Sequence, residues 1–423
     1  MATLEYIKYT PMAVAVAGDE VTFHPIPLGN PIEGLPQIFW KNVTPWTEAN
    51  LWAYTRASSG EVDVRTVRSN FIALNSYANW LEQTSTDWRH FPIRQADRCL
   101  VRFRGQLIAQ RNAGQLKSST ASARMAALVQ FYRWAHAHGY LDSTSLWADR
   151  HFSIQATDNT GMARTLRVRS TDLSIPNRRP PGIRLEDGVQ PVNVERRRAI
   201  LQFASTHASR ELYLMLLVGF STGMRLGTIA DLRLLTLQNA APDEATPLLR
   251  RIAVGPGAHP PVHVKRGVTG HIPIPCSVLA ELIEYSHSTR RLHRQTHSHA
   301  ANRDLLFLTK YGNPYVRRGS NQSSAINTEI HRLRKRAADA GLDIFEEFHF
   351  HRTRATFATE LARLALQVTH DAYSSIALVQ SALLHTSEAT SLMYIRFVQR
   401  EETKAQVIDE FMAAFRNTQL SRE

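Results

Sequence analysis

The 423-residue chain has few cysteines and no long hydrophobic run. Cys99 and Cys276 are far apart and outside any Cys-x-x-Cys spacing, which argues against a disulfide framework and a zinc ribbon. The longest apolar stretch, Leu212 to Phe220, falls well short of the ~20 residues that span a bilayer. The N-terminus also lacks the basic-then-apolar order of a signal peptide. We therefore expect a cytoplasmic protein with no membrane partner.

Acidic residues are in deficit, with 37 Asp and Glu against 50 Lys and Arg. The net charge of +13 and the pI near 10.0 favour a polyanionic partner such as nucleic acid. The apolar content of 43% and the charged content of 21% are ordinary for a folded protein. The length suits two or three domains.

The first half of the chain contains an irregular start and then a helical region. Residues 1–55 carry many prolines and glycines, which argues against long helices and predicts an N-terminal arm. Helices are predicted from about Thr66, over 98–111 and from Ser118 to Gly139. The first of them has an apolar stripe at intervals of three and four residues, consisting of Val67, Phe71, Leu74, Tyr77, Ala78 and Leu81. We predict a helical domain over 56–155.

Residues 156–193 show few periodic apolar positions and predict a basic linker. Its arginines include Arg164, Arg167, Arg169, Arg178 and Arg179. A solvated linker and a segment that crosses a duplex backbone both fit this composition, and in a basic two-domain protein we favour the second. From 194 to 423 a mostly helical domain is predicted, with a strand-rich patch at about 250–275 that turns at Arg266–Gly270.

Six residues of the C-terminal domain have the types that phosphoryl transfer requires: Arg225, Lys265, His351, Arg354, His385 and Tyr394. A tyrosine hydroxyl, with a pKa near ~10, attacks a phosphate only when its proton is removed and the phosphate is neutralised. Guanidinium groups neutralise it with paired hydrogen bonds at any working pH. A lysine beside a hairpin turn could protonate a departing oxygen, although an exposed hairpin lysine is the ordinary alternative.

The order of these residues and their local strings resemble the tyrosine recombinase (phage integrase) family. The matching strings are Thr222–Arg225, Val264–Gly267 with His271–Pro275, His351–Thr359, Leu384–His385 and Met393–Tyr394. His349 and Arg352 share the spacing of His351 and Arg354, but only the Arg354 register continues as the family does. Thr353 and Leu384 depart from the family pattern. Thr228 departs more, because it stands where the family often has a carboxylate, and Asp231 cannot be assumed to replace it.

The resemblance implies a fold and a set of roles. It implies a mainly α protein, in which a helical core-binding domain and a mixed α+β catalytic domain with a small β-hairpin form a clamp around DNA. Tyr394 would be the nucleophile, Arg225 and Arg354 the phosphate ligands, and Lys265 the acid. His351 would move the tyrosine proton, and His385 would bind a nonbridging oxygen. Arg124 is a further candidate DNA contact.

The implied function is site-specific recombination or integration through a 3′-phosphotyrosyl intermediate, for a mobile element. It calls for no cofactor and no metal. It implies double-stranded DNA as partner, a homo-oligomer such as a tetramer assembled on that DNA, possible accessory proteins, and a place in the bacterial cytoplasm with the nucleoid. An apolar face over Glu401–Arg416 predicts a helix that packs on its own domain or docks on a neighbouring protomer. A type IB topoisomerase and a non-catalytic DNA-binding protein remain alternatives.

Overall fold

The computed structural model describes residues 1–17, 20–26, 31–60, 62–141, 146–157, 163–177, 185–316 and 323–420. The chain divides into two compact units, Met1–Pro181 and Gly182–Glu423. Helices are the commonest element in both units, and the strands form small antiparallel sheets. The predicted fold class, mainly α with a small sheet in the second half, is confirmed.

In its described residues, the first unit combines helices with three strand pairs. Its helices are α1 (Thr47–Ser58), α2 (Val64–Gln83), α3 (Cys99–Asn112) and α4 (Ser118–Ala137). Its strands are β1 (Thr3–Tyr9), β2 (Met12–Ala17), β3 (Glu20–Pro25), β4 (Ile32–Phe39), β5 (Asp149–Thr157) and β6 (Ala163–Thr171). The pairs are β1 with β4, β2 with β3, and β5 with β6. The helices predicted from periodicity are α2, α3 and α4, and their existence is confirmed.

The apolar stripe on α2 lies in the core of the first unit, where all six of its side chains are buried. Tyr77 reaches α4, since its hydroxyl lies 2.8 Å from that of Tyr132, and Tyr132 donates to the Trp88 carbonyl at 2.6 Å. A buried hydroxyl without a hydrogen-bond partner incurs a desolvation cost, and these two bonds give both tyrosine hydroxyls a partner.

The predicted N-terminal arm contains strands that belong to the first unit. Leu35 and Ile38 of β4 are buried in the same core as Trp46 and Trp52. Asn50 fixes this contact, because its side chain both accepts from the Ile38 amide and donates to the Ile38 carbonyl. The start of the chain is therefore a layer on the helices, and the boundaries of an arm at 1–55 stay a prediction.

The β5–β6 hairpin crosses the predicted boundary between the helical domain and the linker, since β5 begins at Asp149 and β6 ends at Thr171. Phe152 faces Val168 across the pair, and Ile154 faces Leu166. These apolar residues alternate with polar ones at a period of two, which favours a strand over an irregular segment. The prediction of few periodic apolar positions in this region missed the hairpin. Linker boundaries at 156–193 also stay a prediction.

The second unit is helical around one three-stranded sheet. Its helices are α5 (Val194–His207), α6 (Arg210–Thr222), α7 (Leu226–Ala230), α8 (Leu234–Gln238), α9 (Cys276–His287), α10 (Thr289–Thr296), α11 (Ser324–Asp339), α12 (Arg352–Thr369), α13 (Ala372–Leu383) and α14 (Glu388–Leu420). Its strands, in the order β7-β8-β9, are β7 (Ala241–Pro242), β8 (Leu249–Val254) and β9 (Gly270–Pro275). The predicted strand-rich patch is confirmed, but residues 255–269 connect β8 to β9 where a tight turn was expected.

Two apolar clusters build the second unit. The larger surrounds α6, and the smaller joins α12, α13 and α14. The segment Leu185–Val192, here called the strap, packs onto the smaller cluster through buried Leu185 and Val189. The amide of Val192 donates to Thr356 Oγ1 at 3.0 Å, which ties the end of the strap to α12. The strap therefore has a fixed course over the helices that carry the candidate site.

Candidate active site

Arg225 is placed by the sharp turn between α6 and α7. Gly223 ends α6 in the left-handed conformation, with φ of 66°. A Cβ at this glycine would approach Phe357 Cδ1 to 2.5 Å and Leu383 Cδ2 to 2.6 Å, so the turn lies directly against α12 and α13. Arg225 follows two residues later, directly before α7, so the turn places it beside these helices.

Arg354 lies in the first turn of α12, and its side chain is 3% exposed. Its Nη1 donates to the Gly223 carbonyl at 2.8 Å, and its Nη2 donates to the Leu383 carbonyl at 3.1 Å. These bonds link the ends of α6 and α13 through one guanidinium. Arg352, which shares the sequence spacing, instead donates to the carbonyls of Gln190 and Pro191 in the strap. Arg354 is the arginine that lies beside Arg225.

Both guanidiniums converge on one carboxylate, that of Glu186 in the strap. Arg225 Nη2 pairs with Glu186 Oε1, and Arg354 Nε donates to Glu186 Oε2 at 3.0 Å. His385 Nε2 lies 3.6 Å from the same Oε2. Sequence reasoning missed Glu186, since its partners are 39, 168 and 199 positions away and no local motif marks it.

His385 connects this cluster to Tyr394. Its Nδ1 lies 2.9 Å from Ser391 Oγ, and its ring stacks on that of Tyr394 at 6.0 Å between centroids and 11° between planes. The tautomer with hydrogen on Nε2 accepts from Ser391 and presents a donor to Glu186. Tyr394 is fully buried, near the start of α14. Ser391 is a second residue that sequence reasoning missed, although it is one turn before Tyr394.

The site shifts several pKa values. Burial alone raises the pKa of Glu186, but the interaction with His385 and the charges of Arg354 and Arg225 outweigh it and hold the pKa far below its usual range. Burial lowers the pKa of Arg354, and the neighbouring charge of Arg225 adds to this. Burial also lowers the pKa of His385, which Glu186 raises only in part. Near pH 7 the cluster therefore contains an ionised carboxylate and a neutral imidazole.

Lys265 is exposed in the β8–β9 connection and makes no hydrogen bond or ion pair within the described ranges. The next residue, Arg266, donates to Thr386 Oγ1 at 2.7 Å and so anchors the connection beside His385. His351 lies at the N-terminal boundary of α12, one turn before Arg354.

The departures from the family pattern have structural consequences. Thr228 is buried on α7, and Asp231 accepts from the His263 amide at 2.7 Å, so neither residue supplies a carboxylate to Arg225. Leu384 keeps a left-handed backbone, with φ of 52°, and packs onto Gly270 of β9. Thr353 is fully buried, and Gly219 of α6 lies directly against its side chain.

The candidate DNA contacts are distributed over the first unit. Arg124 is half-buried on α4 and donates to Ser76 Oγ at 3.0 Å. Arg164, Arg167 and Arg169 lie on β6. Arg178 and Arg179 fall outside the described residues. Within the described ranges, no group of three or more His, Cys, Asp or Glu could hold a metal ion, and no helix is long and apolar enough to cross a membrane.

The arrangement fits an oxyanion next to a nucleophile. Arginine donors that bind two oxygens of a carboxylate bind two oxygens of a phosphate equally well. Donors that are fixed before charge develops stabilise a transition state without further reorganisation. The imidazole of His385 lies beside these donors and stacks on the ring of Tyr394, so the tyrosine is next to the anion site. The cluster therefore provides the electrostatics for an attack by tyrosine on a phosphodiester.

The chain is similar to known proteins in sequence family and in fold. Residues 192–399 match the phage integrase family. The Tn1549 transposon integrase in complex with transposon right end DNA is similar in fold, with a TM-score of 0.51 and 14% identity over 85% of this chain and 99% of that one. A lambda integrase dimer bound to a COC′ core site matches at 14% identity, a TM-score of 0.47, and coverage of 82% and 76%. A search of curated proteins found no match.

Proposed function

We propose that this protein, whose residues 192–399 match the phage integrase family, the tyrosine recombinases, is a site-specific DNA recombinase that cuts and rejoins strands through a 3′-phosphotyrosyl intermediate. The convergence of Arg225, Arg354 and His385 on one pair of oxygens beside Tyr394 carries the proposal. We assign it to a mobile element, since the Tn1549 transposon integrase has a similar fold.

The proposed reaction exchanges one phosphoester for another. Tyr394 Oη forms a bond to phosphorus while the bond from phosphorus to the 5′ oxygen breaks. The phenolic proton passes to His351, and Lys265 protonates the departing 5′ oxygen. Arg225 and Arg354 neutralise the nonbridging oxygens, and His385 donates from Nε2. A 5′ hydroxyl from a partner strand then attacks the phosphotyrosine, which restores the DNA backbone and frees Tyr394.

The assembly that we propose is a homo-oligomer, such as a tetramer, on double-stranded DNA in the bacterial cytoplasm. The net charge of +13 supports the DNA partner. The outer part of α14 supports the oligomer, because its apolar side chains Val407, Ile408 and Met412 are exposed in the single chain. A neighbouring protomer that covered them would couple assembly to the position of Tyr394 on the same helix. The proposal also includes a specific DNA target site and accessory proteins that act with the oligomer.

Trapping of a covalent adduct tests the function. The protein is incubated with a pool of randomised duplexes that carry a nick, so that a short fragment leaves after cleavage and religation fails. Denaturing electrophoresis then isolates DNA joined to protein, and mass spectrometry locates the nucleotide on the peptide. We expect the adduct on Tyr394, and we expect Tyr394→Phe to abolish it while noncovalent binding remains.

Tyr373→Phe is the matched control, since Tyr373 is 63% exposed on α13, and it should leave the adduct unchanged. Bound DNA with no adduct would make the protein a non-catalytic DNA-binding protein. Relaxation of any supercoiled plasmid by the monomer would favour a topoisomerase. An adduct that survives Tyr394→Phe would refute the assignment of the nucleophile.

A further inference from the structure

We propose that Glu186 occupies the place of the scissile phosphate in the free protein, and that DNA must displace this carboxylate before cleavage begins. The inference rests on the proposed function, because it assumes that Arg225 and Arg354 are phosphate ligands. The inference goes beyond that function, because the Glu186 carboxylate would then inhibit the enzyme whenever no DNA is bound. Glu186 also precedes the matched residues 192–399, so the comparison with the family does not include it.

The first argument concerns the donors. Arg354 uses Nη1 and Nη2 on the carbonyls of Gly223 and Leu383, and its Nε points to Glu186. Arg225 Nη2 and His385 Nε2 point to the same carboxylate. A carboxylate and a phosphodiester each offer two oxygens and one negative charge, so they compete for one set of donors. Glu186 and the phosphate therefore cannot hold these donors together.

The second argument concerns how Glu186 is held. Leu185 and Val189 on either side of it are buried against α12, α13 and α14, in the cluster that includes Tyr394. Arg352 binds the backbone of the strap further along, at Gln190 and Pro191. These contacts hold the strap on the same helices as the catalytic candidates, so the carboxylate returns to the site whenever DNA leaves.

The third argument concerns accessibility and charge. The Glu186 side chain is 12% exposed, so a competing anion has a path to its partners. Its pKa is held far below the usual range, and neutral solutions do not release it by protonation. Displacement therefore requires another anion at the arginines, and a DNA phosphate brought there by the rest of the protein is such an anion.

Phosphate binding tests the proposal apart from any chemistry. In a Tyr394→Phe background, inorganic phosphate is titrated against chloride at constant ionic strength, and binding is followed by phosphorus NMR and thermal shift. Glu186→Gln removes the charge but keeps the shape. We expect the Glu186→Gln variant to bind phosphate about tenfold more tightly than the parent protein does. A tenfold change corresponds to the binding free energy of about one charge-assisted hydrogen bond. Unchanged or weaker binding would overturn the proposal.

Glu360→Gln is the matched control, because Glu360 pairs with Arg363 on the surface of α12 at 2.6 Å. It removes the same charge from the same unit and should bind phosphate as the parent protein does. Equal gains in both variants would mean that net charge, and not occupancy of the site, controls binding. Glu186→Asp keeps the charge on a shorter stem and should fall between the parent and Glu186→Gln, which guards against a folding defect in either variant.

The rate of adduct formation is the second readout, measured with excess protein on a nicked duplex that Tyr394 attacks. We expect Glu186→Gln to be several-fold faster than the parent, since cleavage no longer waits for the carboxylate to leave. A slower variant would show that Glu186 orients the arginines during catalysis, which refutes displacement. If no variant forms an adduct, the proposed function fails, and the phosphate titration still decides the role of Glu186.

Discussion

Two glutamates of the second unit each pair with two arginines, and their surroundings differ. Glu211 of α6 is fully buried; it accepts from Arg290 at 2.8 and 3.0 Å and from the Tyr285 hydroxyl at 2.9 Å, and it forms an ion pair with Arg294 at 3.0 Å. All its partners come from α9 and α10, and Arg294 is bound in turn to the Leu308 carbonyl. This cluster joins helices around a carboxylate that is itself fully buried, although Arg290 at its edge is 50% exposed.

Glu186 has similar electrostatics on the strap, where a neighbouring anion could replace it. Its partners are a half-buried arginine, a buried arginine and an imidazole stacked on a buried tyrosine. A carboxylate between two arginines is thus no sign of a site by itself. The two clusters differ in the exposure of the carboxylate, 12% at Glu186 against 0% at Glu211, and in the candidate nucleophile Tyr394 beside Glu186. Four experiments follow from that difference.

The largest effect is expected on catalysis. Arg225→Ala removes one phosphate donor and should lower the rate of adduct formation about 10²- to 10³-fold, as loss of one fixed donor does elsewhere. The rate is measured under single-turnover conditions at saturating protein. Arg290→Ala is the matched control, since Arg290 pairs with Glu211 in the other cluster, and it should leave the rate per folded molecule unchanged. A comparable loss in both variants would erase the distinction between the clusters.

The next effect is expected on stability. Glu211→Ala leaves Arg294 uncompensated in the interior and should lower the free energy of unfolding by about 3–5 kcal/mol. Glu186→Ala should cost about 1–2 kcal/mol, and inorganic phosphate should restore much of it. Urea denaturation followed by circular dichroism at 222 nm measures both.

The tryptophans provide an internal control for these measurements. All seven lie between Trp40 and Trp147, in the first unit, so their fluorescence reports on that unit alone. If only the fluorescence transition shifted, the loss of stability would lie in the first unit. That result would contradict the location of both clusters in the second unit. Phosphate that stabilised Glu211→Ala as much as Glu186→Ala would contradict the difference in access.

Acid should weaken both clusters. Burial raises the pKa of Glu211, but the hydrogen bond from Arg290 and the charge of Arg294 outweigh it and lower the pKa, as at Glu186. A carboxyl whose folded pKa is depressed stabilises the fold fully above its unfolded pKa, here 4.5, and loses that contribution as the pH falls. Melting temperatures should therefore drop below about pH 4.5, and Glu211→Gln should flatten that drop. If the melting temperature of Glu211→Gln fell with acid as steeply as that of the parent protein, Glu211 would not be the carboxylate with the depressed pKa.

The smallest effect is expected at His385. The negative charge of Glu186 raises the pKa of this imidazole against the burial that lowers it, so Glu186→Gln should move the pKa further below its ordinary value. NMR titration of the ring measures it, with Glu211→Gln as the control that leaves it in place. A higher pKa in Glu186→Gln would mean that the carboxylate does not face the imidazole.

Much of the fold follows from local patterns, whereas the site follows only in part. Periodicity predicts α2, α3 and α4, because a buried helical face requires apolar residues every three to four positions. The same rule at a period of two would have found β5 and β6 through Phe152, Ile154, Leu166 and Val168. Motif context selects Arg354 over Arg352, and the structure places the first beside Arg225 and the second on the strap.

The sequence by itself determined the residue types of the site and their order, because a tyrosine nucleophile needs arginines, and both lie in recognisable strings. Only the tertiary structure decided that a carboxylate fills the space between those arginines. Thr228 supplies no acid, and Glu186 reaches Arg225 and Arg354 from a strap far away along the chain. Electrostatic attraction depends on distance in space, and packing of Leu185 and Val189 on three helices sets that distance.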